Sequence, residues 1–344
     1  MTLRAPADFL ETAHKPMTMK TRRVLLGGVL LTLPASAVTI DWLQVGDVNN
    51  PADPATGSLY GSVGYAYQIG KYEVTNAQYA EFLNAADSGA TNTYSLYSTN
   101  MAGTYGGISV NAGASAGSKY ATVAGRENKP VNYVSWFDAA RMANWMHNGQ
   151  GSGSTEAGAY NLNGATSGLD FTVELGAMVW IPSEDEWYKA AYYAVTGDNY
   201  WLYPTQSNSE PSNDLINPDP GNNAKFYLSG FTTGVAPYAT DVGEFENSAS
   251  YYGTFDQGGN VAEWNDAFVG SSRGLRGGMW LAPGENLLSA ARSGSFSPAI
   301  EGNNVGFRLA TIPEPSVVAL LVLGTVMLRS RRSGSSRRAV GRAG

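Results

Sequence analysis

The chain has 344 residues, with 41 glycines, 20 tyrosines, only 15% charged residues, two histidines and no cysteine. That length suits one large domain or two ordinary ones. The missing cysteines exclude disulfides, thiolate nucleophiles and cysteine metal centres, and His14 with His147 cannot build a multi-histidine zinc or iron centre. Residues 38–312 hold 11 Lys and Arg against 26 Asp and Glu, a net of −15, so no nucleic acid is expected as a partner through phosphate neutralisation.

In chain order, Lys20, Arg22 and Arg23 precede an apolar run from Val24 to Leu33, and Ala35-Ser36-Ala37 follows. A positive start, an apolar run and small residues at cleavage spacing predict a secretory signal over 1–37, with 1–16 as an upstream extension. The run is too short to span a bilayer.

Tyr65–Val74 alternates as a strand does. Thr75-Asn76-Ala77-Gln78 then opens a helix to about Ala86. Residues 87–125 and 150–168, rich in Gly, Ser, Thr and Asn, read as long surface loops. Ser135-Trp136-Phe137-Asp138 opens a second helix that stops at His147-Asn148-Gly149. Phe171–Ile181 reads as an apolar strand, and Ser183-Glu184-Asp185-Glu186 opens a third helix through about Val195. Residues 196–254 show few helix signals. These pieces predict one irregular α+β domain over 38–311, with few helices, short strands and long loops.

Residues 312–344 form a distinct tail. Ile312-Pro313-Glu314-Pro315 is followed by an apolar segment, 317–328, and then Arg329, Arg331 and Arg332. As a helix, that segment covers about 18 Å against a hydrocarbon core of about 30 Å. One reading is a short single-pass tail with its arginines inside. The other follows from order: Pro-Glu-Pro, apolar run and arginine cluster resemble a PEP-CTERM sorting signal. That resemblance implies a Gram-negative-type envelope, an exosortase-type processing enzyme as partner, and transient membrane contact through the tail.

Six segments recur in a fixed order: Ile69–Tyr79, Pro130–Trp136, Ile181–Trp187, Asp256–Trp264, Arg276–Trp280 and Asn304–Leu309. Together they resemble the formylglycine-generating enzyme, or sulfatase-modifying factor, family over about Tyr65 to Ala310. The resemblance implies a variant of the C-type-lectin-like fold, with calcium as internal glue. It also implies descent from an oxidase that turns a sulfatase cysteine into formylglycine with copper held by two cysteines. Here Ser289 falls where the second copper cysteine would stand, and Gly284 is nearest the first. A serine hydroxyl is a hard, high-pKa ligand and does not replace a thiolate. No copper is expected.

The family's calcium loop carries over to Asp256, the backbone carbonyls of Gly259 and Val261, and Glu263. Hard oxygen donors with glycines that curl the backbone inward suit calcium. The bland alternative is an acidic turn before a buried Trp264. A second family calcium site has Lys225 in place of its asparagine, and an ammonium repels calcium, so one calcium is expected. The acidic start Ser183–Glu186 reads as a helix cap rather than a catalytic cluster. His147 reads as a dipole or capping residue, Arg276 and Arg308 as braces on buried carboxylates, and Glu263 with Asp266 as a remote acid–base possibility. Loop tyrosines Tyr94, Tyr97, Tyr105 and Tyr251 could line a groove.

Three functions stay open at this point. The first is an exported, non-catalytic binding module at the cell envelope, cell surface or outside the cell, with exopolysaccharide or an envelope protein as partner. The second is an oxidase or another enzyme of the superfamily. The third is a mainly structural surface protein.

Overall fold

The computed structural model describes residues 37–197 and 199–313, all within one compact unit. The signal-peptide reading of 1–37 and the sorting tail lie almost wholly outside the described residues. In chain order the elements are β1 (Trp42–Val45), β2 (Tyr67–Gly70), α1 (Asn76–Ala86), β3 (Ile108–Val110), β4 (Tyr120–Thr122), α2 (Trp136–His147), β5 (Val179–Trp180), α3 (Glu184–Tyr192), β6 (Tyr193–Ala194) and β7 (Asn199–Tyr200). They continue with β8 (Ala262–Val269), β9 (Ser272–Arg276), β10 (Ser293–Phe296), β11 (Val305–Gly306) and β12 (Ala310–Thr311). Among the described residues, three α-helices, short strands and long connections make the irregular α+β, C-type-lectin-like architecture expected.

Each helix starts where a capping box predicts. Thr75, Ser135 and Ser183 accept from the backbone N–H three residues on, and Gln78, Asp138 and Glu186 return the bond. These reciprocal bonds satisfy donors that the first turn leaves free.

Two strand expectations and one helix end need correction. The strand predicted over Tyr65–Val74 is regular only at Tyr67–Gly70. Of Phe171–Ile181 only Val179–Trp180 pairs; the preceding residues form turns, with Glu174 N–H donating to the Ala159 carbonyl and Leu175 wholly exposed. An apolar run alone does not distinguish a strand from a buried or displayed loop. α3 ends at Tyr192, because Tyr193 leaves the helix to pair with Tyr200. The loop over 87–125 also contains the β3–β4 hairpin.

Two four-stranded sheets organise the unit. One has the order β1-β2-β12-β5 and the other β10-β9-β8-β11. β12 lies antiparallel to both β2 and β5, so the end of the described chain is locked between them. β11 runs parallel to β8, which sets Val305 and Gly306 beside Ala262 and Glu263. The core is aromatic: Trp136, Trp264, Tyr79, Tyr160 and Phe307 are fully buried, and Trp264 Nε1 donates to the Val134 carbonyl at 3.0 Å. The four motif tryptophans, Trp136, Trp187, Trp264 and Trp280, are all buried.

Candidate functional site

The turn before β8 and the start of that strand meet four other motif segments, through Glu73, Trp187, Gly277 with Trp280, and Arg308. Asp256 and Asn260 adopt left-handed backbones, with φ of 61° and 52°. Gly259, at φ 90°, has no alternative: a Cβ there would sit 2.0 Å from the Lys225 carbonyl oxygen. The close approach carries bonds. Asn260 N–H donates to the Lys225 carbonyl at 2.7 Å, Gly259 N–H to that of Gly277 at 2.7 Å, and Trp280 N–H to that of Asn260 at 2.9 Å.

Of the four expected calcium positions, Asp256, Gly259 and Val261 lie on this turn and Glu263 is the second residue of β8 directly after it. Asp256 Oδ2 accepts the Gly243 N–H at 2.6 Å. Glu263 is enclosed: its Oε2 accepts from Arg308 Nε at 2.5 Å and Trp187 Nε1 at 2.8 Å, and its Oε1 from Arg308 Nη2 at 2.6 Å. Arg308 also donates to the carbonyls of Gly70 and Phe255. A third carboxylate, Glu73, accepts from Val261 N–H and Asn260 Nδ2. Sequence reasoning passed over Glu73; its signal was an acid within the first motif segment, beside an apolar strand.

Two buried carboxylates, Glu263 and Glu73, and the partly buried Asp256 thus gather near one guanidinium, which bonds Glu263. Burial pushes Asp256 up to about 6, with Arg308 opposing and Glu263 adding to the rise. Burial, then the Asp256 and Glu263 charges, hold Glu73 well above the usual carboxylate range. This acid excess suits a dication. A carboxylate offers about four lone-pair positions, so Glu263 Oε1 keeps acceptor capacity after its bond to Arg308. Among the described residues no three acidic or histidine side chains converge as a metal-ligand group. An ion at this turn would rest on backbone carbonyls as well as Asp256 and Glu263.

Lys225 flanks the turn through a backbone bridge to Gly259. Its Nζ is buried, 5.8 Å from the centre of the Phe231 ring, with no hydrogen-bond acceptor. Burial, with repulsion from Lys129, lowers its pKa to about 8. The positions that the family resemblance sets nearest the copper cysteines are also closed. Ser289 is buried and its hydroxyl bonds to Tyr188, while its carbonyl accepts from Arg276 Nη1. Gly284 is buried, and a Cβ there would strike Glu210. No soft donor is available at either place, so copper does not fit.

The other candidates separate. Arg276 pairs with Glu184 at 2.7 Å, tying β9 to the first turn of α3, and Arg292 joins the same carboxylate. Arg276 and Arg308 are therefore braces. Asp266 pairs with Arg273 at 2.8 Å, so Glu263 and Asp266 answer to different arginines and make no acid–base couple. His147 Nδ1 accepts the Met178 N–H at 2.9 Å, so it pins a loop instead of capping α2.

The loop tyrosines do not share one groove. Tyr94 stacks on Arg141, Tyr97 is buried against Tyr120, and Tyr251 meets Tyr252. Tyr105 alone reaches the motif region, stacking on Trp280 with ring centres 5.7 Å apart. Tyr238 lies 5.0 Å from Trp280 and 4.2 Å from Phe231, again centre to centre. Tyr105, Phe231 and Tyr238 are half-buried and form a partly open aromatic face. Asn132 fixes one edge by donating to the Tyr105 carbonyl at 2.9 Å.

Comparison with known proteins agrees with this layout. A sulfatase-modifying factor enzyme 1-like domain matches residues 52–312, three quarters of the chain. The chain belongs to the sulfatase-modifying factor family. Among solved structures, CarF is similar with a TM-score of 0.52 and 20% identity over 80% of this chain and 100% of that one. PvdO from Pseudomonas aeruginosa is similar with a TM-score of 0.45 and 18% identity over 80% and 92%. Treponema denticola variable protein 1 gives 0.44 and 20% over 80% and 93%. These identities speak to fold alone. No curated protein matches.

Proposed function

We propose that this family member is an exported, non-catalytic binding module, delivered with a sorting tail and directed at exopolysaccharide. The observation that carries the reading is the absence of any cysteine in 344 residues of a family whose oxidases hold copper through thiolates. The scaffold is kept while the ligands of the known chemistry are gone, and function lives in sites rather than folds. The partly open face of Tyr105, Phe231 and Tyr238 on Trp280 supports the binding role. Aromatic rings offer large, rigid, amphipathic contact area at low entropic cost.

Two measurements test it together. A cysteine-containing sulfatase-motif peptide, incubated with the purified chain, copper and oxygen, should show no formylglycine by mass spectrometry. A glycan array should show binding that drops about tenfold, or about 1.4 kcal/mol, on Tyr238→Ala. Formylglycine formation, or a blank array with folded protein, would remove the proposal.

Calcium is proposed as a structural ion at the Asp256 turn, through Asp256, the carbonyls of Gly259 and Val261, and Glu263. The support is the acid excess around Arg308. One calcium is expected, because Lys225 stands where the family's second calcium site has an asparagine, and an ammonium there repels calcium. Calcium at a hundredfold excess over its Kd adds about 2.7 kcal/mol, a rise in Tm on the order of 5–10 °C. Titration calorimetry should count one site, and an unchanged Tm after chelation would exclude it.

A further inference from the structure

The aromatic face on Trp280 adjoins a charge that the reading above leaves unused. Lys225 is 1% exposed, and among the described residues its ammonium has no hydrogen-bond acceptor. Its Nζ lies 5.8 Å from the centre of the Phe231 ring, and Phe231 stacks on Tyr238 at 4.2 Å. The hydroxyls of Thr232, next to Phe231, and Thr240, two residues from Tyr238, are likewise buried without a partner. The neighbouring cations are engaged. Lys129 Nζ donates to Asp241 and to the Ala239 carbonyl at 3.0 Å each, and Arg126 donates to the Gly103 and Gly106 carbonyls beside Tyr105. A buried charge with no partner is costly, so it gains from any anion brought within reach.

We infer that Lys225 reads an anion at this face, and that the sugar bound there is a uronate whose ring lies on Tyr105 and Tyr238 and whose carboxylate meets the ammonium. The inference rests on the exopolysaccharide reading above and narrows it to acidic polymers. The rings supply the flat apolar platform that a sugar face needs. Lysine carries its charge on a flexible four-carbon stem, so rotamer changes bring the ammonium to the half-buried edge of Phe231. There it exchanges an environment without acceptors for a charge-assisted hydrogen bond.

Charge selects a carboxylate over a phosphate. Asp241 already answers Lys129, so the face offers one uncompensated ammonium. One carboxylate neutralises it. A phosphate monoester brings nearly two negative charges, and the second would meet the field of a domain with net charge −15 over 38–312. One charge on each sugar ring is therefore the pattern this face fits.

The test compares polyglucuronate with the same polymer after its carboxylates have been reduced to alcohols, by titration calorimetry on the full chain at low salt. The parent should bind the acid form about tenfold more tightly than the reduced form. Lys225→Met should lose that preference, and should melt no lower than the parent because it removes an unpartnered buried charge. Equal binding of both forms by the parent, or a preference that survives Lys225→Met, would overturn the inference and leave the exopolysaccharide reading standing. So would binding of neither form by a chain that still binds neutral glycans on the array. Dextran sulfate bound as tightly as polyglucuronate would overturn the choice of a carboxylate. A lower melting temperature for Lys225→Met would show that the ammonium already has a partner, and would overturn the inference too. A chain that binds no glycan at all removes the broader reading and this one with it.

Discussion

Replacing Arg308 by methionine is expected to cost about 5 kcal/mol, enough to unfold a domain of ordinary stability near room temperature. Arg308 and Glu263 are both fully buried, and the guanidinium grips both carboxylate oxygens. Removing it leaves the buried Glu263 and Glu73, with the partly buried Asp256 beside them, without their cation, and orphans the Gly70 and Phe255 carbonyls. Arg308→Lys keeps the charge but not the two-pronged geometry, so it should fall between the two. Arg308→Met combined with Glu263→Leu should recover part of the loss, since the largest penalty is the stranded charge. Urea unfolding followed by circular dichroism reads all three. A methionine variant within about 1 kcal/mol of the parent would mean that the ion pair does not hold the two motifs together.

The second large effect is with pH. Asp138 lies in the first turn of α2, where its Oδ2 accepts from Ser135 N–H and Oγ at 2.7 Å each. Burial nevertheless pushes it up to about 7, outweighing those bonds. Burial also pushes Asp266 up to about 7, with Arg273 opposing. A carboxyl whose folded pKa exceeds its unfolded one binds more protons in the fold. Its contribution is full below about pH 4 and is lost as pH rises through about 7. The domain should therefore be less stable at pH 8 than at pH 5, by about 2–3 kcal/mol from each group. Glu156 and Asp219 are shifted downward, so they act at lower pH and leave this window alone. Asp138→Asn, which imitates the neutral acid, should raise the Tm at pH 8 and leave it nearly unchanged at pH 5. A parent Tm that climbs from pH 5 to pH 8 would contradict both assignments.

The separation between what could and could not be read beforehand follows the range of the interactions. Helix starts depend on bonds spanning three residues, so Thr75, Ser135 and Ser183 announced themselves. The family and its fold were legible because six motifs preserve positions where little else fits, such as Gly259 pressed on the Lys225 carbonyl. Strand lengths were not legible. Val173 and Leu175 have the composition of a strand, but the chain around them turns back onto Ala159 and displays them.

By itself, the sequence determined composition-limited chemistry: no thiolate, no histidine cluster, an acidic domain between two basic ends. It also determined the helix caps and the family. Only the tertiary structure decided what each charged residue faces. Glu263 meets Trp187 across 76 residues and Arg308 across 45, and Arg276 meets Glu184 across 92. Partners so distant are chosen by sheet register and core packing, above all the parallel pairing of β11 with β8, and no local pattern encodes that pairing. Tyr105 likewise meets Trp280 far along the chain, and the pairing of β12 with β5 sets Thr311 against the Met178 carbonyl.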